Sequence, residues 1–271
     1  MARIAIIGLV GKSMFFDVPR FHSGGETITA KSLYEEWGGK GFNQAVAAAR
    51  QDAAVTFLGA VNASDAKPLK DFCTKEGIRA MLAAKKKPTA CAAILTDGTG
   101  ETRVTVYPGA ELEARDVDGF AGAIATADIL LLNNEAPEAV NVAAVKLAVK
   151  YDTRVVFNPA PARKLPKAVL DAVAVWTPNE FEESALGDVP GEVVTTLGAK
   201  GCRIRSTGET VPAAPCERVV DTTGAGDTFS GVLAVRLAEG ESLHDACVAA
   251  NAAAAEEVAV RYVMPSIPRR R

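Results

Sequence analysis

The chain has 271 residues, a hydrophobic fraction of 48% and a formal net charge of −3. That balance allows a sizeable core, argues against a disordered chain and gives no electrostatic footprint for nucleic acid. Five scattered cysteines and two histidines, His22 and His244, disfavour a disulfide scaffold, a His-rich metal centre and a histidine-centred catalytic apparatus.

Arg3 to Leu9 is an apolar run broken at Gly8 and reads as a buried strand. The run is too short for a secretory leader, and no uninterrupted apolar stretch reaches membrane-spanning length, so the expected location is the cytoplasm, with no membrane partner. Ser13 to Glu36 mixes aromatic and polar residues around Ser23-Gly24-Gly25 and predicts a small set of strands. Gly38 to Arg50 then passes from a glycine-rich loop into an Ala-rich helix. Val55 to Ala60 is a second buried strand. Thr89–Leu95 and Glu101–Tyr107 predict a hairpin around Asp97-Gly98-Thr99-Gly100.

From Val117 onward helical patterns alternate with apolar strands at Ile129–Leu132, Arg154–Phe157, Val173–Trp176 and Val193–Leu197. Such alternation predicts a parallel sheet flanked by helices. Two Ala-rich helices, Ala225–Leu237 and Leu243–Val258, close the chain. With no repeat, linker or composition shift, residues 1–271 read as one domain. The strands near 13–36 and 89–107 form its appendage.

The most informative segment is Asp221-Thr222-Thr223-Gly224-Ala225-Gly226-Asp227-Thr228, placed at the start of a helical pattern. Small residues there let the backbone approach an anion, and helix-start N–H groups favour negative charge. Asp227 falls in the first helical turn, where an Asp is by itself also an ordinary helix-start carboxylate.

Together with Gly25-Glu26-Thr27, Gly38-Gly39-Lys40-Gly41-Phe42-Asn43, Asn158-Pro159-Ala160-Pro161-Ala162-Arg163, Thr177-Pro178-Asn179-Glu180-Phe181-Glu182, Thr196-Leu197-Gly198-Ala199-Lys200-Gly201 and Pro265-Ser266-Ile267-Pro268, this segment resembles the ribokinase-like (PfkB) family of carbohydrate and nucleoside kinases. The resemblance implies an α/β fold: a three-layer α/β/α sandwich with a mostly parallel central sheet and a small β-sheet lid. It implies an ATP-dependent sugar kinase with a small sugar-like substrate. Asp227 would be the base, and the backbone of Gly224, Ala225 and Gly226 the anion hole. Asn179 and Glu182 would organise Mg²⁺ through water, which suits an ion that dehydrates reluctantly. Thr196, Gly198, Gly201 and Asn251 would hold the nucleotide. Gly38, Gly39, Lys40, Asn43 and Glu135, with Gly11, Ser13 and Asp227, would face the sugar. Asp221, Thr223 and Ser266 match positions that ligate K⁺, and a homodimer through the lid is implied.

Three departures qualify these roles. Gly11 and Ser13 stand where the family carries Asn-x-Asp, with Lys12 between them, so an acidic diol clamp is missing and a phosphorylated or acidic sugar becomes a candidate. The segment between Asn179 and Thr196 is shorter than is usual in the family and lacks the helix that usually precedes the nucleotide-loop strand. Tyr262 occupies a place where glycine is usual. Two alternatives remain open. One is a nucleoside kinase with an aromatic slot from Phe15, Phe16 and Phe42, residues that also read as core or lid packing. The other is a binding protein that has lost turnover. Gly11-Lys12-Ser13 is not a P-loop, because the glycine that motif needs is Ile6.

Overall fold

A computed structural model describes residues 1–270. In chain order the elements are β1 (Arg3–Ile7), β2 (Gly11–Asp17), β3 (Ser32–Gly38), α1 (Lys40–Ala49), β4 (Ala54–Asn62), α2 (Ala66–Lys75), β5 (Ile78–Lys85), β6 (Ala90–Thr96) and β7 (Thr102–Tyr107). They continue with α3 (Ala121–Thr126), β8 (Ile129–Asn133), α4 (Glu138–Tyr151), β9 (Arg154–Asn158), α5 (Lys167–Leu170), β10 (Val173–Trp176) and α6 (Glu180–Leu186). The last are β11 (Glu192–Thr196), β12 (Cys202–Ile204), β13 (Thr210–Val211), α7 (Ala225–Ala238) and α8 (Leu243–Glu257).

Nine strands make the large sheet, in the order β13-β12-β11-β10-β9-β8-β1-β4-β5. Every pair from β11 to β5 is parallel, and only the β12 and β13 edge runs antiparallel. Alternation along a central strand divides the core. Ile4 and Ile6 pack into one buried cluster with α1, α7 and α8, whereas Ala5 and Ile7 pack into the other with α4. Helices therefore cover both faces, as the sequence pattern predicts.

The second sheet has four strands in the order β3-β2-β6-β7. The hairpin β6–β7 turns where expected, with Asp97 Oδ1 accepting from the Thr99 N–H at 2.8 Å. β2 joins β3 antiparallel and β6 parallel, which fuses the two appended regions into one layer. Ser13, Phe15, Tyr34 and Glu36 share one face of it, and Lys12, Met14, Phe16 and Trp37 the other.

Residues 61–88, silent in the sequence, fold into α2 and β5 at the sheet edge. Between Asn179 and Thr196 there is one short helix, α6, after which Gly187 to Gly191 lead straight into β11. At the end of α1, Arg50 pairs with Glu76 at 2.8 Å and donates to the Met264 and Ile267 carbonyls, pinning the C-terminal segment to that helix.

Candidate active site

The large sheet ends its parallel strands in polar side chains. Asn133 closes β8, Asn158 closes β9, Thr177 follows β10 and Thr196 closes β11. The helices α1, α6 and α7 begin at the same end, so strand ends and helix N-termini face one crevice, where open α/β sheets place their ligands.

Asp227 lies in the first turn of α7 and is 5% exposed. Its two oxygens are held separately: Asn43 Nδ2 donates to Oδ2 at 2.9 Å, and Gln44 Nε2 to Oδ1 at 3.2 Å. Burial pushes its carboxyl above the ordinary range, against the pull of Lys40 and the two amides. Gln44 belongs to a buried network that ties the strand ends together. Its Nε2 also lies 3.4 Å from Asn158 Oδ1, and its Oε1 accepts from Asn133 Nδ2 at 3.5 Å. Asn158 donates on to the Thr177 carbonyl, and Thr177 meets Ser230 of α7 at 2.9 Å. Asp227 is thus fixed by α1 and by the sheet at once.

Lys40 and Glu135 complete this end. The Lys40 N–H, at the start of α1, donates to Glu135 Oε2 at 2.6 Å. Burial, then the Asp227 charge, push the Glu135 carboxyl up to about 7. Asp227 first, with Glu135 and Glu182 behind it, raises the Lys40 ammonium. Lys40, Asn43, Glu135 and Asp227 therefore come together as the sequence reading required.

Gly224 caps α7 with φ 91°, a left-handed conformation that favours glycine. A Cβ there would also lie 2.5 Å from Glu257 Oε1. The Ala225 N–H has only a long 3.4 Å contact with the Thr222 carbonyl, leaving the helix start able to meet an anion. Behind it, Glu257 is 1% exposed, and neither of its carboxyl oxygens has a hydrogen-bond partner. Burial pushes that carboxyl up to about 8; Thr228 faces it without reaching hydrogen-bond geometry.

At the start of α6, Asn179 and Glu182 form a reciprocal capping box. The Glu182 N–H donates to Asn179 Oδ1 at 2.8 Å, and the Asn179 N–H to Glu182 Oε2 at 2.9 Å. The pair thus has a structural role besides any metal role. Asn179 bridges to Thr196, which ends β11. Gly201 is required by packing: a Cβ would meet the Val211 carbonyl at 2.1 Å. Asn251 donates to the Val211 and Pro212 carbonyls, which ties α8 to β13 and the residue after it.

At the expected K⁺ position, Asp221 accepts from the Thr223 and Tyr262 N–H groups, and the Ser266 hydroxyl donates to the Val263 carbonyl. Among the described residues no three or more His, Cys, Asp or Glu side chains come together to cage a metal.

The smaller sheet resolves one expectation differently. Lys12 points away from the Ser13 face and pairs with Asp65 at 2.6 Å. Ser13 sits against Gly38. The three phenylalanines do not form one slot. Phe42 is buried against Phe57 and Phe72, Phe15 meets Tyr34 and Tyr262, and Phe16 is on the opposite sheet face from Phe15. Gln44, Asn133, Glu36 and Glu257 were given no role from the sequence; Gln44, next to Asn43, and Asn133, two residues before Glu135, lay beside residues that were.

The model of the pfkB family of carbohydrate kinases matches residues 1–270. The chain belongs to that family. It is 32% identical over 292 residues to the ribokinase of Haemophilus influenzae, covering 98% of this chain and 95% of that protein. The structure of Arabidopsis thaliana ribokinase complexed with ribose and ATP superposes with a TM-score of 0.88 at 27% identity, covering 99% and 96% of the two chains. The ribokinase of Thermotoga maritima gives 0.88 at 30% identity, covering 100% and 97%. A pfkB carbohydrate kinase is a phosphotransferase with an alcohol acceptor, which uses ATP and a divalent metal. No helix among the described residues is long and apolar enough to cross a membrane.

Proposed function

We propose that this chain transfers the γ-phosphoryl group of ATP to a hydroxyl of a neutral sugar, with Asp227 as the general base. The observation that carries the reading is the two-sided grip of Asn43 and Gln44 on the Asp227 carboxylate at the mouth of the α7 N-terminus. Bound ATP supplies the phosphoryl group, and a divalent ion, proposed to be Mg²⁺, neutralises its charge.

Asp227 accepts the proton of the attacking hydroxyl, and its fixed oxygens keep the free lone pairs aimed at the acceptor. The N–H groups of Ala225 and Gly226, with Gly224 opening the turn, stabilise charge on the transferring group. Lys40, Asn43 and Glu135 hold sugar hydroxyls, together with the Gly38–Gly39 backbone and the Gly11 and Ser13 edge. Asn179 and Glu182 orient the hydrated metal. Thr196, Gly198, Gly201 and Asn251 shape the nucleotide pocket.

Residues 1–271 act as one kinase domain, in the cytoplasm, with the smaller sheet as a lid that excludes water. K⁺ at Asp221, Thr223 and Ser266 is supported by the partnerless Glu257 carboxyl beside that loop. A homodimer through the lid is supported by Val104 and Val106, exposed on one face of β7. A neutral acceptor is favoured over an acidic one because Asp65 already neutralises Lys12.

The test is ATP consumption with a panel of pentoses, hexoses, sugar phosphates and nucleosides. Turnover on a neutral sugar supports the proposal; turnover confined to sugar phosphates or nucleosides overturns the acceptor assignment.

A further inference from the structure

Three consecutive backbone N–H groups, those of Tyr262, Val263 and Met264, all donate to carboxylates, and these carboxylates come from two separate parts of the molecule. Tyr262 donates to Asp221 Oδ2 at 3.3 Å, Val263 to Glu36 Oε1 at 3.0 Å, and Met264 to Glu36 Oε2 at 3.0 Å. Tyr262 has a left-handed φ of 67°, which lets successive N–H groups converge on anions. Such a conformation is costly for an aromatic residue and persists where its surroundings hold it.

Those surroundings belong to the smaller sheet. The Tyr262 ring stacks on Tyr34 of β3 at 4.0 Å and meets Phe15 of β2 edge-on at 5.0 Å. Its neighbour Arg261 pairs with Asp17 of β2. Glu36 lies on the same sheet face as Phe15 and Tyr34, directly across from Ser13. Residues 261–264 are therefore bound to the sheet by an ion pair, an aromatic cluster and a carboxylate with both oxygens engaged.

The other end of the connection is the anion hole. Asp221 accepts from Tyr262 at Oδ2 and from the Thr223 N–H at Oδ1, 2.9 Å away. Thr223 immediately precedes Gly224, the cap of α7. A path of hydrogen bonds joined by short lengths of backbone thus runs from Glu36, through residues 262–264 and Asp221, to Thr223, next to the cap of α7. Two carboxylates this close repel each other, and the three N–H groups between them offset that repulsion only while both are in place.

We propose that Glu36 is a positioning residue for phosphoryl transfer, tying the smaller sheet to the Asp221–Gly224 loop so that the anion hole is complete only when that sheet is closed over the acceptor. This rests on the kinase reading above. When the sheet lifts, Glu36 leaves the Val263 and Met264 N–H groups, Asp221 loses its fixed partner, and the helix-start donors drift from the transferring group. Preorganised donors lose much of their effect when displaced by about 1 Å. Closure over the acceptor and assembly of the hole then become one event, which discourages phosphoryl transfer to water.

The test uses the full chain and four variants: Glu36→Ala, Glu36→Asp, Glu36→Gln and, on the opposite face of the same strand, Glu35→Ala. Steady-state transfer to the best neutral sugar of the panel is measured, together with calorimetric binding of Mg-ADP with and without aluminium fluoride, a mimic of the transferring group. Glu36→Ala and Glu36→Asp, the latter charged but too short, are expected to lose about 10- to 100-fold in kcat with KM for ATP within about twofold. They are also expected to keep Mg-ADP affinity while losing most of the gain from aluminium fluoride, and Glu35→Ala to match the wild type. If Glu36→Ala melts below the assay temperature, Glu36→Gln, which keeps the volume and one acceptor, carries the test with an expected loss of about three- to tenfold. A Glu36 variant that folds and retains both kcat and the aluminium fluoride gain overturns this inference alone. A wild-type chain inert towards the whole panel overturns the kinase reading and this inference with it.

Discussion

Asn43 and Asp227 are 184 positions apart and meet in a 2.9 Å hydrogen bond that closes α1 onto α7. The adjacent Gln44 holds the second oxygen of the same carboxylate at 3.2 Å. A buried carboxylate without such donors would resist ionisation, and an uncharged Asp227 cannot take a proton.

Replacing Asp227 by Asn preserves volume and removes the proposed base. The expected loss in kcat is about 10²- to 10⁴-fold, with nucleotide affinity within about twofold of wild type. Single-turnover kinetics and calorimetry check the two halves of that statement, and near-normal turnover would refute the assignment.

Gln44→Leu removes a donor that lowers the Asp227 pKa, so that pKa rises further. Because the deprotonated form is active, the acidic limb of the kcat/KM profile should move to higher pH while the alkaline plateau is largely kept. An unmoved acidic limb would show that Asp227 is not the group titrating there.

Glu182→Gln separates two roles of one side chain. A glutamine oxygen can still accept from the Asn179 N–H, so the α6 cap and the melting temperature should be nearly unchanged. The Mg²⁺ concentration for half-maximal activity should rise about tenfold, since water organised by a carboxylate is held less well by an amide. Metal titration of the purified variant reads this directly.

Glu257 makes stability depend on pH with a definite sign. Its carboxyl stands at about 8 in the folded protein, against an ordinary value of 4.5. The folded state therefore binds the proton more tightly, and stability falls as pH rises from about 4.5 towards 8. Glu257→Gln removes that loss, so its melting temperature should exceed that of wild type at pH 9 and approach it at pH 5. The high-pH gain should be on the order of 2–4 kcal/mol. A gap that does not change with pH would refute the shift, and added K⁺ should narrow it by stabilising the charged form.

Lys12→Met should leave acceptor preference and kcat/KM within about twofold of wild type, with a stability change of roughly 0.5 kcal/mol or less. Its ammonium is half exposed and already paired with Asp65 on the face away from Ser13. A selective loss of activity on acidic sugars would instead restore the reading taken from sequence.

Much of the large sheet and of the helix start that carries Asp227 was legible in the sequence because those features are local. The Asp221–Thr228 run announces a helix start, and the apolar runs at Ile129, Arg154 and Val173 mark strands whose ends carry the site. Gln44 was harder to read, because its partners Asn133, Asn158 and Asp227 are remote in the chain. Glu36 and Glu35 are adjacent carboxylates that nothing in Tyr34-Glu35-Glu36-Trp37 tells apart; only strand pairing shows which faces residues 262–264. The same alternation turned Lys12 away from the sugar side. The 61–88 stretch gave no signal because α2 buries only Leu69 and Cys73 and the Ala-rich β5 lacks alternation.

The grip of Asn43 and Gln44 on Asp227, with Arg50 pinning residues 264 and 267 to the same helix, also orders events at the ribosome. α1 is made early, whereas Asp227 and residues 264 and 267, which it also holds, are made last. The parallel strands up to β10 can associate while translation proceeds, but the base has no setting until α7 emerges. The connection to residues 262–264 follows later still. A nascent chain stalled after β11 would contain most of the large sheet and still lack Asp227, the proposed base.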